Sequence, residues 1–118
     1  MNSETSEQNL VAYIAVIVYE ITSSSLDHQP LYEESFVLFK ASSEEEAQQM
    51  ALQYAQQEQV TYKNEQQDDI TWTVKHVIDV SPLLVQNVNF ESGSELYARH
   101  FRNYQAYTSF EPLLSGGL

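Results

Sequence analysis

LVAYIAVIVYEI, residues Leu10 to Ile21, is the stretch that decides the fold. It is dense in valine, isoleucine and tyrosine, side chains that suit a pleated surface. Its even positions Ala12, Ile14, Val16 and Val18 are apolar, and so are its odd positions Val11, Tyr13, Ala15, Ile17 and Tyr19. Successive residues of a strand point to opposite faces, so this strand is apolar on both. Such a strand belongs in the middle of a sheet covered on both sides. One cover is a helix. The other has to be a second helix, the carboxy-terminal segment or a partner subunit.

Outward from that strand, Thr22 to Pro30 (TSSSLDHQP) is a polar loop, and Leu31 to Lys40 (LYEESFVLFK) reads as a second strand. Ser42, Ser43, Glu45 and Glu46 form two overlapping S-x-x-E capping boxes at the start of a helix placed over Ser43 to Glu58. Along it Ala47, Met50, Ala51, Tyr54 and Ala55 recur at helical spacing as one apolar stripe. Val60 to Lys63 is a short strand and Asn64 to Asp69 a hairpin loop. Ile70 to Val80 (ITWTVKHVIDV) alternates, with Ile70, Trp72, Val74, His76, Ile78 and Val80 on one face and Thr71, Thr73, Lys75 and Asp79 on the other. Ser81-Pro82 closes this strand, because proline cannot donate to a central ladder. Beyond it the best turn is Glu91-Ser92-Gly93, Glu95 to Phe101 fits a short strand or a helical turn, and Tyr104 to Phe110 is an aromatic-rich end. The expected fold is α+β: a largely antiparallel sheet of four to five strands with one long helix on a face, in the order β-β-α-β-β plus a carboxy-terminal element. Residues 10–111 form one domain, between a disordered segment 1–9 and a flexible tail 112–118.

The composition removes whole classes of function. Seventeen acids against five basic residues leave a formal charge of −12 in 118 residues. That argues against nucleic acid as a partner, since phosphate contacts need clustered lysine and arginine. The absence of cysteine excludes disulfides, thiolate metal sites and a cysteine nucleophile, and three glycines leave no glycine-rich phosphate loop. The longest apolar run, Leu10 to Tyr19, is half of the roughly 20 residues a membrane helix needs. Met1 to Asn9 has no basic region of a signal peptide. The expected location is the cytoplasm, with no membrane partner, no cofactor and no metal.

Few side chains concentrate chemistry. Glu44-Glu45-Glu46 sits where carboxylates are favoured by capping and the helix dipole, so it reads as structural. Asp68-Asp69 lacks the alternating oxygen ligands of a calcium loop. His28 lies in a polar loop, and His76 stands on the apolar face of the Trp72 strand as a core or rim residue. Glu95 to Arg102 (ELYARHFR) holds both arginines of the chain, Arg99 and Arg102, with Glu95, Tyr97 and His100. The sharp reading is an anion- or ligand-binding cluster of Glu95, Tyr97, Arg99, His100 and His76, since guanidinium matches carboxylate or phosphate. The plainer reading sets the arginines against the chain's own carboxylates. No catalytic residue is signalled: there is no H-x-x-x-H, G-x-S-x-G or P-loop.

The order of the motifs YEESFVLFKA, SSEEEAQQMA, VTYKNEQQDDITWTVKHVIDV and ELYARHF, from about Val11 to Phe101, resembles DUF4288, a family of small bacterial domains of unknown function. Glu34, Glu46, Tyr62, Lys63, Trp72 and the Glu95–Tyr97–Arg99 run match positions of that pattern. The resemblance implies a compact α+β domain without an activity to carry over. Its members usually have a shorter loop between the first two strands and lack the extension from Tyr104 to Leu118.

The leading expectation is a non-enzymatic protein-interaction module forming a homodimer, which covers the second face of the first strand. One alternative is an acidic inhibitor or immunity-type protein that masks a basic partner such as a nuclease. Another is a small-ligand or enzymatic site around Arg99 and Glu95, which requires those side chains to converge in one pocket.

Overall fold

The computed structural model describes residues 9–114; the expectations for residues 1–8 and 115–118 lie outside it. Four strands, β1 (Val11–Ser23), β2 (Leu31–Ala41), β3 (Val60–Lys63) and β4 (Asp69–Pro82), form one antiparallel sheet in the order β2-β1-β4-β3. The doubly apolar strand is therefore central. Tyr13, Ala15, Ile17 and Tyr19 are buried on one face, and Ile14 and Val16 on the other.

Helix α1 (Glu44–Gln57) covers the first face. Ser43 caps it: its Oγ accepts from the Glu46 N–H at 3.0 Å, and Glu46 Oε1 accepts from the Ser42 N–H at 2.6 Å and the Ser42 hydroxyl at 2.9 Å. Ala47, Ala51 and Ala55 are fully buried and meet the odd side chains of β1 with Ala41 and Val80. Alanine at these three positions lets the helix backbone approach the sheet closely. The expected long helix is instead a short one: 14 residues rise about 21 Å, whereas the 13 residues of β1 extend about 43 Å. Trp72 extends the apolar layer past the helix and meets Tyr19 edge to face at 5.8 Å.

Strand β4 does not keep strict alternation. Its register with β1 shifts between Val16 and Ile17 and again between Val18 and Tyr19. Each bulge inserts one residue and reverses the phase of those beyond it. Val74, Val77 and Val80 thus pair with Tyr19, Ile17 and Ala15 on the helix side, while His76 pairs with Val18 and Asp79 with Val16 on the second face. His76 is not on the Trp72 face, and Ile78 belongs to a bulge.

No fifth strand joins the sheet among the described residues. After Pro82 the chain turns back as an irregular strap over the second face. Leu83 donates to the Ala12 carbonyl at 3.0 Å, Leu84 to that of Leu96 at 3.1 Å, and the Gln86 side chain bonds both the Ala12 N–H (2.8 Å) and its carbonyl (3.2 Å). The strap reverses at Asn89–Ser94, where Gly93 takes a φ of 94° that a side chain would strain. Glu95 to Phe101, expected as strand or helical turn, is neither. Tyr104 to Phe110 is helix α2, capped by Asn103, whose Oδ1 accepts from the Ala106 N–H at 3.0 Å, and Leu113-Leu114 turns back onto Glu111. No residue of α2 is buried.

Candidate functional site

The second face of β1 is closed at its centre by Tyr97. Its ring lies 6.3 Å from that of Phe36 on β2, and its hydroxyl donates to Asp79 Oδ2 on β4 at 2.7 Å. Phe36 and Asp79 are the two register partners of Val16, so the side chain spans β1 over a residue with no exposed surface. The Ser81 hydroxyl donates to the same Asp79 oxygen at 2.9 Å. The Tyr97 bond holds the Asp79 carboxyl below the ordinary carboxylate range against the opposing effect of burial, helped by Ser81 and the nearby Arg99 charge. Burial, and then Asp79, push the Tyr97 phenol up.

From this clamp the chain leaves the sheet as an arm. Arg99, His100 and Phe101 form one wall of a cleft of about 520 Å³, with Glu34 of β2 and Tyr107 and Phe110 of α2 among the others. Phe101 stacks on Tyr107 at 4.7 Å. Neither arginine makes an ion pair within the described residues, where the pairs are Lys63–Asp69 (2.8 Å) and Lys75–Glu20 (3.9 Å). Arg99 acts on the Asp79 carboxylate through its charge without an ion-pair contact among the described residues.

Of the side chains the sequence singles out, Tyr97, Arg99 and His100 lie along this path from the clamp into the cleft. Glu95 is exposed on the strap and His76 on the second face, and neither lines the cleft. Asp79, Ser81, Asn103, Phe110 and Glu111 complete the arrangement and escaped the sequence reading. The doubled apolar pair Val77-Ile78 was the signal of a bulge, and because the two bulges of β4 cancel in phase, Asp79 and Ser81 stay on the face opposite Trp72, toward Tyr97.

General acid/base work at neutral pH needs groups poised near 7, but the Tyr97–Asp79 contact moves the phenol up and the carboxyl down. The cleft offers a guanidinium, an imidazole and aromatic walls, which suit an acidic or aromatic side chain. Among the described residues no group of three or more histidine, aspartate or glutamate side chains is placed to hold a metal ion. No helix among them is long and apolar enough to cross a membrane.

A family model described as a domain of unknown function (DUF4288) matches residues 12–98. The match covers most of the chain, which belongs to that family, and it ends before the arm. No curated protein and no solved structure matches the chain.

Proposed function

As a DUF4288 member the chain shares a fold for which no activity is described, and we propose that it is a non-enzymatic protein-interaction module of the bacterial cytosol, working as a homodimer. The observation that carries this reading is the arm. Tyr104 is 64% exposed, Phe110 78% and Leu113 73%, a run of large apolar side chains left largely uncovered by the described residues. Exposed apolar surface that is contiguous along one element marks interaction sites, and aromatic residues with arginine are enriched at interface cores. Arg99 and Arg102 sit on this arm, on a chain that is otherwise strongly acidic, which favours a second copy as the partner. Light scattering over a concentration series tests it. The expected mass is twice 13.5 kDa at micromolar concentration and above, and a constant single-chain mass overturns the reading.

The acidic-inhibitor reading is favoured by one observation: none of the charged side chains among the described residues is buried. A surface of that kind speeds encounter with a basic protein. Steep loss of affinity for a basic partner with added salt supports it, and salt-independent capture argues against it.

A further inference from the structure

The two margins of the sheet are built differently. On the β4 side, β3 pairs with Asp69–Trp72, two bulges follow, and the Val74 N–H is taken by Gln59 Oε1 at 3.1 Å. Bulges and short strands are the usual protection of a sheet margin. On the other side β2 runs for 11 residues in unbroken register with β1, contains no proline, and has no second strand partner among the described residues. Alternate residues of such a strand turn their N–H and C=O groups outward. Phe36 and Leu38 are 58% and 52% exposed along it.

We infer that β2 pairs antiparallel with β2 of a second copy about a two-fold axis at Val37, joining two four-stranded sheets into one of eight. This inference rests on the homodimer reading and names its surface. The axis position follows from charge. With Val37 on the axis, Glu34 faces Lys40 of the second copy and Phe36 faces Leu38, each pair occurring twice. An axis one residue earlier puts Glu34 against Leu38, and an axis at Glu34 sets two carboxylates face to face. Lys63 and Lys75 are already engaged by Asp69 and Glu20, whereas Lys40 has no ion pair among the described residues. Opposite charges directly across a ladder favour pairing and like charges oppose it. The same axis brings the arm's cleft, which borders Glu34, across from a hollow of about 430 Å³ bordered by Leu38, Lys40, Leu83 and Val88. Each arm then meets the apolar floor of the other copy.

The test is a charge swap on the full chain, read by light scattering. Glu34→Lys and Lys40→Glu each place like charges across the axis twice and should raise the dimer dissociation constant roughly 10- to 100-fold. Mixing the two variants should restore a dimer containing one of each, and combining both changes in one chain should restore the homodimer. Parent-like circular dichroism and a cooperative urea transition show that the single variants still fold, as expected for exposed positions. If the parent chain is a dimer that neither single change weakens, or if the mixture does not recombine, the β2 interface is overturned while the homodimer stands. A monomeric parent overturns both.

Discussion

The Tyr97 hydroxyl donates to Asp79 Oδ2 at 2.7 Å across the central strand, closing the second face of β1 from within the chain. A strand apolar on both sides thus acquires its second cover from residues 83–97, not from a partner's sheet face. The proposed partner is therefore set at the β2 margin and the arm instead.

Replacing Tyr97 with phenylalanine keeps the ring against Phe36 and deletes the bond to Asp79. A hydrogen bond to a charged group contributes about 1.5–3 kcal/mol. Partial exposure places this one toward the low end, so urea denaturation at pH 7 should show a loss of about 1–2 kcal/mol.

The same bond predicts a pH dependence. The Asp79 carboxyl is lowered in the folded state by Tyr97, and that of Glu46 by the Ser42 N–H and then its hydroxyl. A lowered folded pKa contributes stability that is complete above the ordinary carboxylate range and is lost as pH falls through the folded value. The difference between the parent chain and Tyr97→Phe should therefore be largest near neutrality and shrink below about pH 4. Denaturation curves at pH 7 and pH 3 check it, and an equal difference at both contradicts it.

Tyr19→Phe should not destabilise the protein. The Tyr19 hydroxyl is buried without a hydrogen-bond partner among the described residues, and burial, with the Glu58, Tyr54 and Glu33 charges, pushes its pKa up to about 12. Removing an unsatisfied buried hydroxyl while keeping the ring on Trp72 is neutral or gains up to about 1–2 kcal/mol. Thermal unfolding measures the sign, and a clear loss would reveal a partner for that oxygen.

Ala51→Leu should destabilise by about 1–3 kcal/mol, because the fully buried Ala51 leaves no room between α1 and the sheet. Leu52→Ala, one position around the helix at an exposed site, should shift stability by no more than about 0.5 kcal/mol.

The parts of this molecule that the sequence exposes are those with a period. Leu10 to Ile21 identified the central strand, and the alanine stripe with its Ser–Glu cap placed α1 within a residue at each end. The strap has no period: it is held by single contacts such as Leu84 to Leu96 and Gln86 to Ala12, which leave no pattern in 83–97. The two bulges of β4 cancel in phase, so Trp72, Val74 and Val80 keep the face that strict alternation gives them, while His76, between the bulges, moves to the other; only the adjacent apolar pair Val77-Ile78 marks the slip. Asp79, Ser81 and Glu34 meet the Tyr97–Arg99 run only once the strap is in place. Composition could not have placed them.

Backbone amide exchange along β2, resolved residue by residue, tests the central claim most directly. In a dimer joined at this margin both the inward and the outward N–H groups of Glu33–Ala41 are hydrogen-bonded, so all should be protected at high protein concentration, and the outward half should lose protection on dilution. If alternate β2 amides exchange at the rate of an open chain at every concentration, the margin is free and the claim is wrong.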